Sequence, residues 1–197
     1  METVINKSAV IDFFNRICDE YDRNNHQNND TLHKILEYAD IKHKDVLDIA
    51  CGPGVLFDMY HSFPIKSLTA IDISENMIKK CKSKFPNYPI SYHCMDAEEM
   101  EFSDSFDSVV LFNAFPHIAH PEILVQRIHT ALRNNGSFTI AHGCSRECID
   151  HCHSNLPHNL SKKLWDIQKI EDLLFPYFEI ETSIDNNQMI VITGRKR

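Results

Sequence analysis

Asp45-Val46-Leu47-Asp48-Ile49-Ala50-Cys51-Gly52-Pro53-Gly54-Val55-Leu56-Phe57 decides how the rest of the chain is read. An apolar β-run ends in an acid, passes through a tight Gly-Pro-Gly loop and enters a segment able to start a helix. A buried strand feeding a glycine-rich turn and a helix N-terminus is how α/β folds build nucleotide sites. The 197 residues include only five glycines, and two of them, Gly52 and Gly54, fall in this loop. Glycine so concentrated suggests a backbone that a ligand approaches closely; the alternative is an ordinary βα turn.

Outward from this stretch, helical and strand patterns alternate. Val4 to Tyr21 repeats Val10, Phe13, Phe14, Ile17 and Tyr21 at helical spacing and predicts a helix. Asp22 to Asp30 is Asn-rich and predicts a loop, after which Thr31 is placed to cap a helix through Ala39. Val46–Ala50, Ser67–Ile73, Ile90–Cys94, Phe106–Phe112 and Ser137–Ala141 read as strands. Between them Val55–Ser62, Glu75–Phe85 (capped by Ser74) and Pro121–Leu132 read as helices, with Asn135-Gly136 as a turn. Such alternation implies an α/β fold, a parallel sheet with helices on both faces. Phe178–Ile184 and Met189–Thr193 read instead as an antiparallel hairpin around Asp185-Asn186-Asn187-Gln188. No repeat or linker interrupts the chain, so residues 1–197 are expected to form one domain.

Hydrophobic content of 43% and charged content of 24% fit a globular protein. No apolar run reaches the roughly 18 residues of a membrane span, and the first residues lack a signal-peptide pattern, so a cytoplasmic location is expected. Seven cysteines, an odd number without a regular framework, fit a reducing compartment. A net charge of −8 argues against a nucleic-acid partner. Arg195-Lys196-Arg197, the one dense basic cluster, reads as a solvated tail. A small-molecule ligand is therefore expected, with neither nucleic acid nor membrane as partner, on a monomer or homodimer.

Ligands of such sheets bind beyond the carboxyl ends of the strands. The polar residues there are Asp48, the Gly52–Gly54 loop, Asp72 after strand 2, Asp96 after strand 3 and Asn113 after strand 4. Asp72 lies about 20 residues past the loop, from where an acid reaches ribose hydroxyls. A dinucleotide loop requires a third glycine where Phe57 stands, and Asp48 would repel a pyrophosphate. An adenosine-bearing cation would be attracted instead, and S-adenosylmethionine carries a sulfonium and an ammonium group.

Asp48-Ile-Ala-Cys-Gly-Pro-Gly54 resembles motif I of class I S-adenosylmethionine-dependent methyltransferases, Asp72-Ile73 their motif II, and Asp96-Ala97 their adenine-binding acid. Phe106–Val110 with Asn113, Leu132–Ile140 and the terminal hairpin resemble their strands 4 to 7. Phe13-Phe14-Asn15…Glu20-Tyr21-Asp22 is more loosely similar to an N-terminal segment of the small-molecule members. The resemblance, from about Phe13 to Lys196, implies a Rossmann-like seven-stranded sheet of order 3-2-1-4-5-7-6 with strand 7 antiparallel. It also implies that residues 1–40 cover the active site and residues 41–197 form the core. The implied activity is methyl transfer to an O, N or S nucleophile of a small molecule, with S-adenosylhomocysteine as product. The implied cofactor residues are Asp48, Ala50, Gly52, Gly54, Asp72, Ile73, Met77, Asp96, Ala97 and Asn113. Rival readings are a non-catalytic binder of the cofactor or a metal, and a nucleotide-dependent oxidoreductase.

The family motifs leave the acceptor open. Asn113-Ala-Phe115-Pro116-His117 follows strand 4, and His117 is a candidate general base or a surface histidine, one of twelve. Tyr21 is placed either to line the pocket or to cap the first helix's apolar face. After strand 5 comes His142-Gly-Cys144-Ser-Arg146-Glu-Cys148-Ile-Asp150-His151-Cys152-His153. Ser145 can cap a helix carrying Cys144, Cys148 and Cys152 on one stripe and Arg146 with Asp150 on another. Three readings stand: core cysteines of an amphipathic helix, an acceptor grip using His142, Arg146 and His153, or a metal or metalloid site. Catalytic candidates are His117, His142 and Arg146, the first two as proton acceptors; no metal ligands are assigned.

Overall fold

The computed structural model describes residues 4–24 and 27–197. Residues 1–3 of the expected N-terminal region and 25–26 of the expected Asn-rich loop lie outside the described residues. The first strand of the quoted stretch, β1 (Asp45–Ile49), occupies the centre of the sheet. It pairs in parallel with β2 (Ser67–Asp72) on one side and β4 (Phe106–Phe112) on the other. Beyond β2 lies β3 (Ile90–Cys94), and beyond β4 lies β5 (Leu132–His142), both parallel. The hairpin of β6 (Phe178–Asp185) and β7 (Ile190–Lys196) then pairs antiparallel, giving the expected order β3-β2-β1-β4-β5-β7-β6.

Central parallel strands are covered on both faces and therefore read as continuous apolar runs. Period-two alternation splits them: Val46 joins Ile35 and Leu36 of α2 (Asn29–Tyr38) in one core. Leu47 and Ile49 join Leu124 and Ile128 of α5 (Pro121–Ala131) in the other. Asp48 shares the face of Val46, an acid fully inside a core layer.

The first helix, α1 (Lys7–Asn24), extends three residues past the expected Tyr21. Its successor α2 is capped not by Thr31 but by Asn28, whose Oδ1 accepts from the N–H groups of Asp30 (2.9 Å) and Thr31 (3.2 Å). The helix expected over Val55–Ser62 contracts to α3 (Phe57–Tyr60). Gly54 at φ +85° keeps the preceding residues in turns, with its N–H bonded to Cys51 O at 3.1 Å. Ser74 caps α4 (Glu75–Lys84) as expected, its Oγ accepting from Met77 N. Strand β5 begins at Leu132, directly after α5, and absorbs Asn135 at φ +61° as an irregularity where a separate turn was expected. After α6 (Arg146–His153) comes α7 (Ile167–Leu174), which the sequence reading did not identify.

The basic C-terminal cluster is not a solvated tail. Arg195 binds Glu181 (2.7 Å) and Asp40 (2.8 Å), and Lys196 donates to Leu132 O (2.6 Å), so β7 runs through both. Among the described residues, no helix is long and apolar enough to cross a membrane.

Candidate active site

Strand order reverses between β1 and β4, and a crevice opens where neighbouring strand ends diverge. The residue immediately after each strand, Ala50 after β1 and Asn113 after β4, is left-handed at φ +54°. For a residue with a Cβ this conformation costs about 1 kcal/mol or more, and it turns both chains sharply off the sheet. The side chain of Asn113 fixes the opening further, its Oδ1 accepting from Gly143 N at 3.0 Å across to the loop after β5. A cavity of about 280 Å³ lies over these strand ends, closed above by Lys7, Val10, Phe14 and Tyr21 of α1.

Asp72, at the tip of β2, organises the floor. Its two oxygens accept from Gly52 N and Ser74 N, each at 2.8 Å, tying the glycine loop to the start of α4. Burial nevertheless pushes its carboxyl up to about 6, against the opposing pull of those bonds. Asp48 lies behind Ala50 and accepts from Tyr60 Oη at 3.1 Å. Burial and then the charge of Asp72 push Asp48 up to about 7, the Tyr60 hydrogen bond only partly opposing this. Neither acid has a cationic partner among the described residues. Tyr21 borders the same space, its hydroxyl pushed up to about 12 by burial and then by Asp72. Two buried carboxylates and an aromatic ring form a site complementary to a cation.

The loop glycines act differently. A Cβ on Gly52 would meet open space, so this backbone borders the cavity unobstructed. A Cβ on Gly54 would fall 2.7 Å from the Phe85 ring and 2.8 Å from Cys81 Sγ, so this glycine serves packing, and it is absent from the cavity wall. Gly54→Ala is expected to lower unfolding stability by about 2–3 kcal/mol through overpacking, and Gly52→Ala by only about 1 kcal/mol through backbone strain. Urea midpoints of the two variants measure the difference; equal losses would contradict it.

Further along the cavity lie Ile73, Met77, Asp96 and Ala97. Asp96 is held by Lys7 Nζ at 2.5 Å, and the same ammonium reaches Glu98 at 2.7 Å. Glu98, buried, also accepts from Ala119 N, His120 N and His120 Nδ1, stitching α1 to the segment before α5. Lys7 and Glu98 were missed in the sequence because nothing local marks either; their pairing exists only once α1 folds over β3's end.

The opposite end of the cavity gathers His117, His142 and His153. His117 donates from Nδ1 to Leu160 O (2.8 Å) when its proton sits there, which leaves Nε2 bare. Its ring meets His153 edge-on at 4.9 Å and Phe14 at 5.1 Å. Burial pushes His117 down to about 4 and His142 to about 3, and lowers His153, so all three imidazoles are neutral near pH 7.

Arg146 is not brought to this end. Its guanidinium donates to Leu164 O (3.0 Å), Trp165 O (2.5 Å) and Asp185 (2.6 Å), a brace between α6, the 164–165 segment and β6. The expected Arg146–Asp150 pair does not form; Asp150 instead lies 3.8 Å from Lys163. Ser145 caps α6 by accepting from Cys148 N, yet the buried residue of this helix is Ile149, while Cys148 and Cys152 are exposed. Among the described residues, no group of three or more His, Cys, Asp or Glu side chains is arranged to hold a metal ion.

Residues 47–140 match the family model of the methyltransferase domain. Malonyl-[acyl-carrier protein] O-methyltransferase of Anoxybacillus flavithermus is 27% identical over 129 residues, 65% of this chain and 50% of that protein. The chain spans about half the length of the curated relatives it matches. Among solved structures, the [4+2]-cyclase SpnF superposes with a TM-score of 0.80 at 12% identity, covering 98% of this chain and 97% of that one. The S-adenosylmethionine dependent methyltransferase of Mesorhizobium loti gives 0.68 at 16% identity, with 85% and 96% covered. At such identities these two likenesses concern the fold.

Proposed function

We propose that the chain, whose residues 47–140 match the methyltransferase-domain model, is a class I S-adenosylmethionine-dependent methyltransferase that moves a methyl group from S-adenosylmethionine to an O, N or S nucleophile of a small molecule. The observation that carries this reading is the buried pair Asp48 and Asp72, unpaired with any cation among the described residues, beside the open backbone of Gly52. Desolvated carboxylates favour a cationic ligand over a pyrophosphate, which they would repel.

When bound, the cofactor supplies an electrophilic methyl carbon on positively charged sulfur. Asp72 takes the ribose hydroxyls while its two backbone bonds hold the glycine loop in place. Ala50 and Gly52 let the methionine portion approach the backbone, with Asp48 and the Tyr21 ring supplying the field for its positive charge. Ile73 and Met77 pack the adenine, and Asp96 with the Ala97 N–H reads its edge. Asn113 sets the distance between the loops after β4 and β5. Gly54 acts through the shape of its loop, and Arg146 has no part in the transfer. We assign residues 1–40 as the cover that excludes water, on the strength of the α1 side chains over the cavity.

His117 Nε2 takes the acceptor's proton. The transfer would balance with the acceptor's proton on His117, the methyl group on X, and the electron pair of the broken carbon–sulfur bond left on the sulfur the cofactor would supply. As a hydroxyl or thiol gives electrons to the methyl carbon its proton becomes far more acidic than in the free acceptor, so even a weakly basic histidine would receive it and then release it to solvent; an amine attacking as its neutral form would need no such base.

Incubating the chain with S-adenosylmethionine and a panel of small nucleophiles, with product masses followed, is expected to show transfer to at least one acceptor. His117→Ala should lower that turnover by about 100-fold while S-adenosylhomocysteine affinity stays unchanged. Unaltered turnover would remove His117 from the mechanism, and transfer to nothing would favour a binder without activity.

A further inference from the structure

The transfer end of the cavity also carries information about the acceptor's charge. Lys7 is the only cation among the described residues of the cavity wall, and both nearby acids, Asp96 and Glu98, already hold it. Arg146, the nearest candidate for gripping an anion, is committed to two carbonyls and Asp185. The remaining polar groups at this end are uncharged, the imidazoles of His117, His142 and His153 with Gln27, Asn113, Cys144 and Cys152; His142 Nε2 and His153 Nδ1, both buried, have no hydrogen-bond partner among the described residues. Around them the wall is apolar: Phe14, Phe112, Ile118 and Ile149.

We propose that the acceptor is an uncharged molecule with a small aromatic or aliphatic body, presenting a hydroxyl or thiol proton to the bare Nε2 of His117. This rests on the methyltransferase reading above and names the substrate class of that site. A carboxylate placed here would lose its water and meet no free cation to compensate. An ammonium would meet an apolar wall, with Asp96 and Glu98 already paired with Lys7 and Asp72 reserved for the cofactor, and it has no lone pair to attack with. A hydroxyl or thiol satisfies both conditions, donating one proton to a neutral acceptor while its body packs against the aromatic rings.

The test uses the full chain saturated with S-adenosylhomocysteine and four probes of one shape: 4-methylphenol, 4-methylbenzenethiol, toluene and 4-methylbenzoate. Calorimetry at pH 7.5 is expected to show the phenol or the thiol binding at least about 10-fold more tightly than toluene, the effect of one buried hydrogen bond. Binding of 4-methylbenzoate is expected to be weaker still. In His117→Leu the preference for phenol over toluene should vanish while toluene binding is kept. Tighter binding of the benzoate than of the phenol, or no binding of either the phenol or the thiol, would overturn the proposal. A phenol preference that survives His117→Leu would also overturn it. Should that variant fail to fold, the charge series on the unmodified chain still decides. Failure of S-adenosylhomocysteine itself to bind would strike the cofactor reading instead, and the probes titrated into the ligand-free chain would then test the acceptor class separately.

Discussion

Asp72→Ala is expected to weaken S-adenosylhomocysteine binding by at least about 100-fold, the largest effect of any single substitution in the cofactor pocket. The reason lies in what Asp72 does before any ligand arrives. Its oxygens accept the N–H groups of Gly52 and Ser74, so the side chain joins the glycine loop to the start of α4. Truncation leaves two donors without a partner, at about 1–3 kcal/mol for each one that stays buried. It also removes the acceptor proposed for the ribose hydroxyls. The pocket would lose a contact and the shape of its floor together. Asp72→Asn separates the two effects, because a carboxamide retains one acceptor oxygen and can hold only one of the two N–H groups. Calorimetric affinity should therefore fall in the order wild type, Asn, Ala. Equal affinity of all three would show that the ligand does not touch this strand end.

Asp48→Asn is expected to do two opposite things at pH 8: raise thermal stability and weaken cofactor binding. Asp48 is 2% exposed, and burial holds its folded-state carboxyl at about 7 against an ordinary value of 3.8. A raised carboxyl contributes stability that is fully present below its ordinary value and lost as pH rises through the folded value. At pH 5 the folded acid is still protonated but the unfolded one is ionised, so a neutral isostere already relieves about 1–2 kcal/mol. At pH 8 it is an ionised group in a core layer, and relieving that cost is worth about 2–4 kcal/mol. For a chain of this size the melting temperature should rise by roughly 5–10 °C at pH 8, with a smaller rise at pH 5 and the difference growing between about pH 4 and pH 7. The buried His117 and His142 titrate in the opposite sense over roughly pH 3 to 6.5, but they are common to both proteins and cancel in the difference. Loss of the negative field should cost at least about 10-fold in S-adenosylmethionine affinity at the same pH. A destabilised Asp48→Asn at pH 8 would mean that the acid is held there for structure and not for a cationic ligand.

The frame of the fold was legible because it depends on short-range patterns. Each central strand is an apolar run ending in a polar residue, each long connection carries helical spacing, and the terminal hairpin has its own turn. What failed were boundaries set by single backbone angles. Nothing in Val55–Ser62 announces that Gly54 is left-handed, at φ +85°, or that the helix after it is only four residues long. Ile167–Leu174, by contrast, was legible, with Asp166 at its N-cap and Ile167, Ile170 and Leu174 at helical spacing, although no N-cap side-chain bond forms. In the site, the placement of Asp48, Asp72, Asp96 and Asn113 at strand ends followed from period and order. The destination of Arg146 did not, because it is decided by carbonyls of residues 164 and 165 and by Asp185, distant in the chain. Lys7 illustrates the same limit from the other side: an unremarkable lysine becomes part of the cavity wall through two acids about ninety residues away.

On the proposed function, the crevice over β1, β2 and β4 receives an adenosine-bearing cation and not a dinucleotide. Isothermal titration of the full chain at pH 7.5 with S-adenosylmethionine, S-adenosylhomocysteine and NAD addresses it most directly. One equivalent of S-adenosylmethionine or its product is expected to bind at least about 100-fold more tightly than NAD, with the preference lost in Asp72→Ala. Tighter binding of NAD, or indifference among the three, would contradict it.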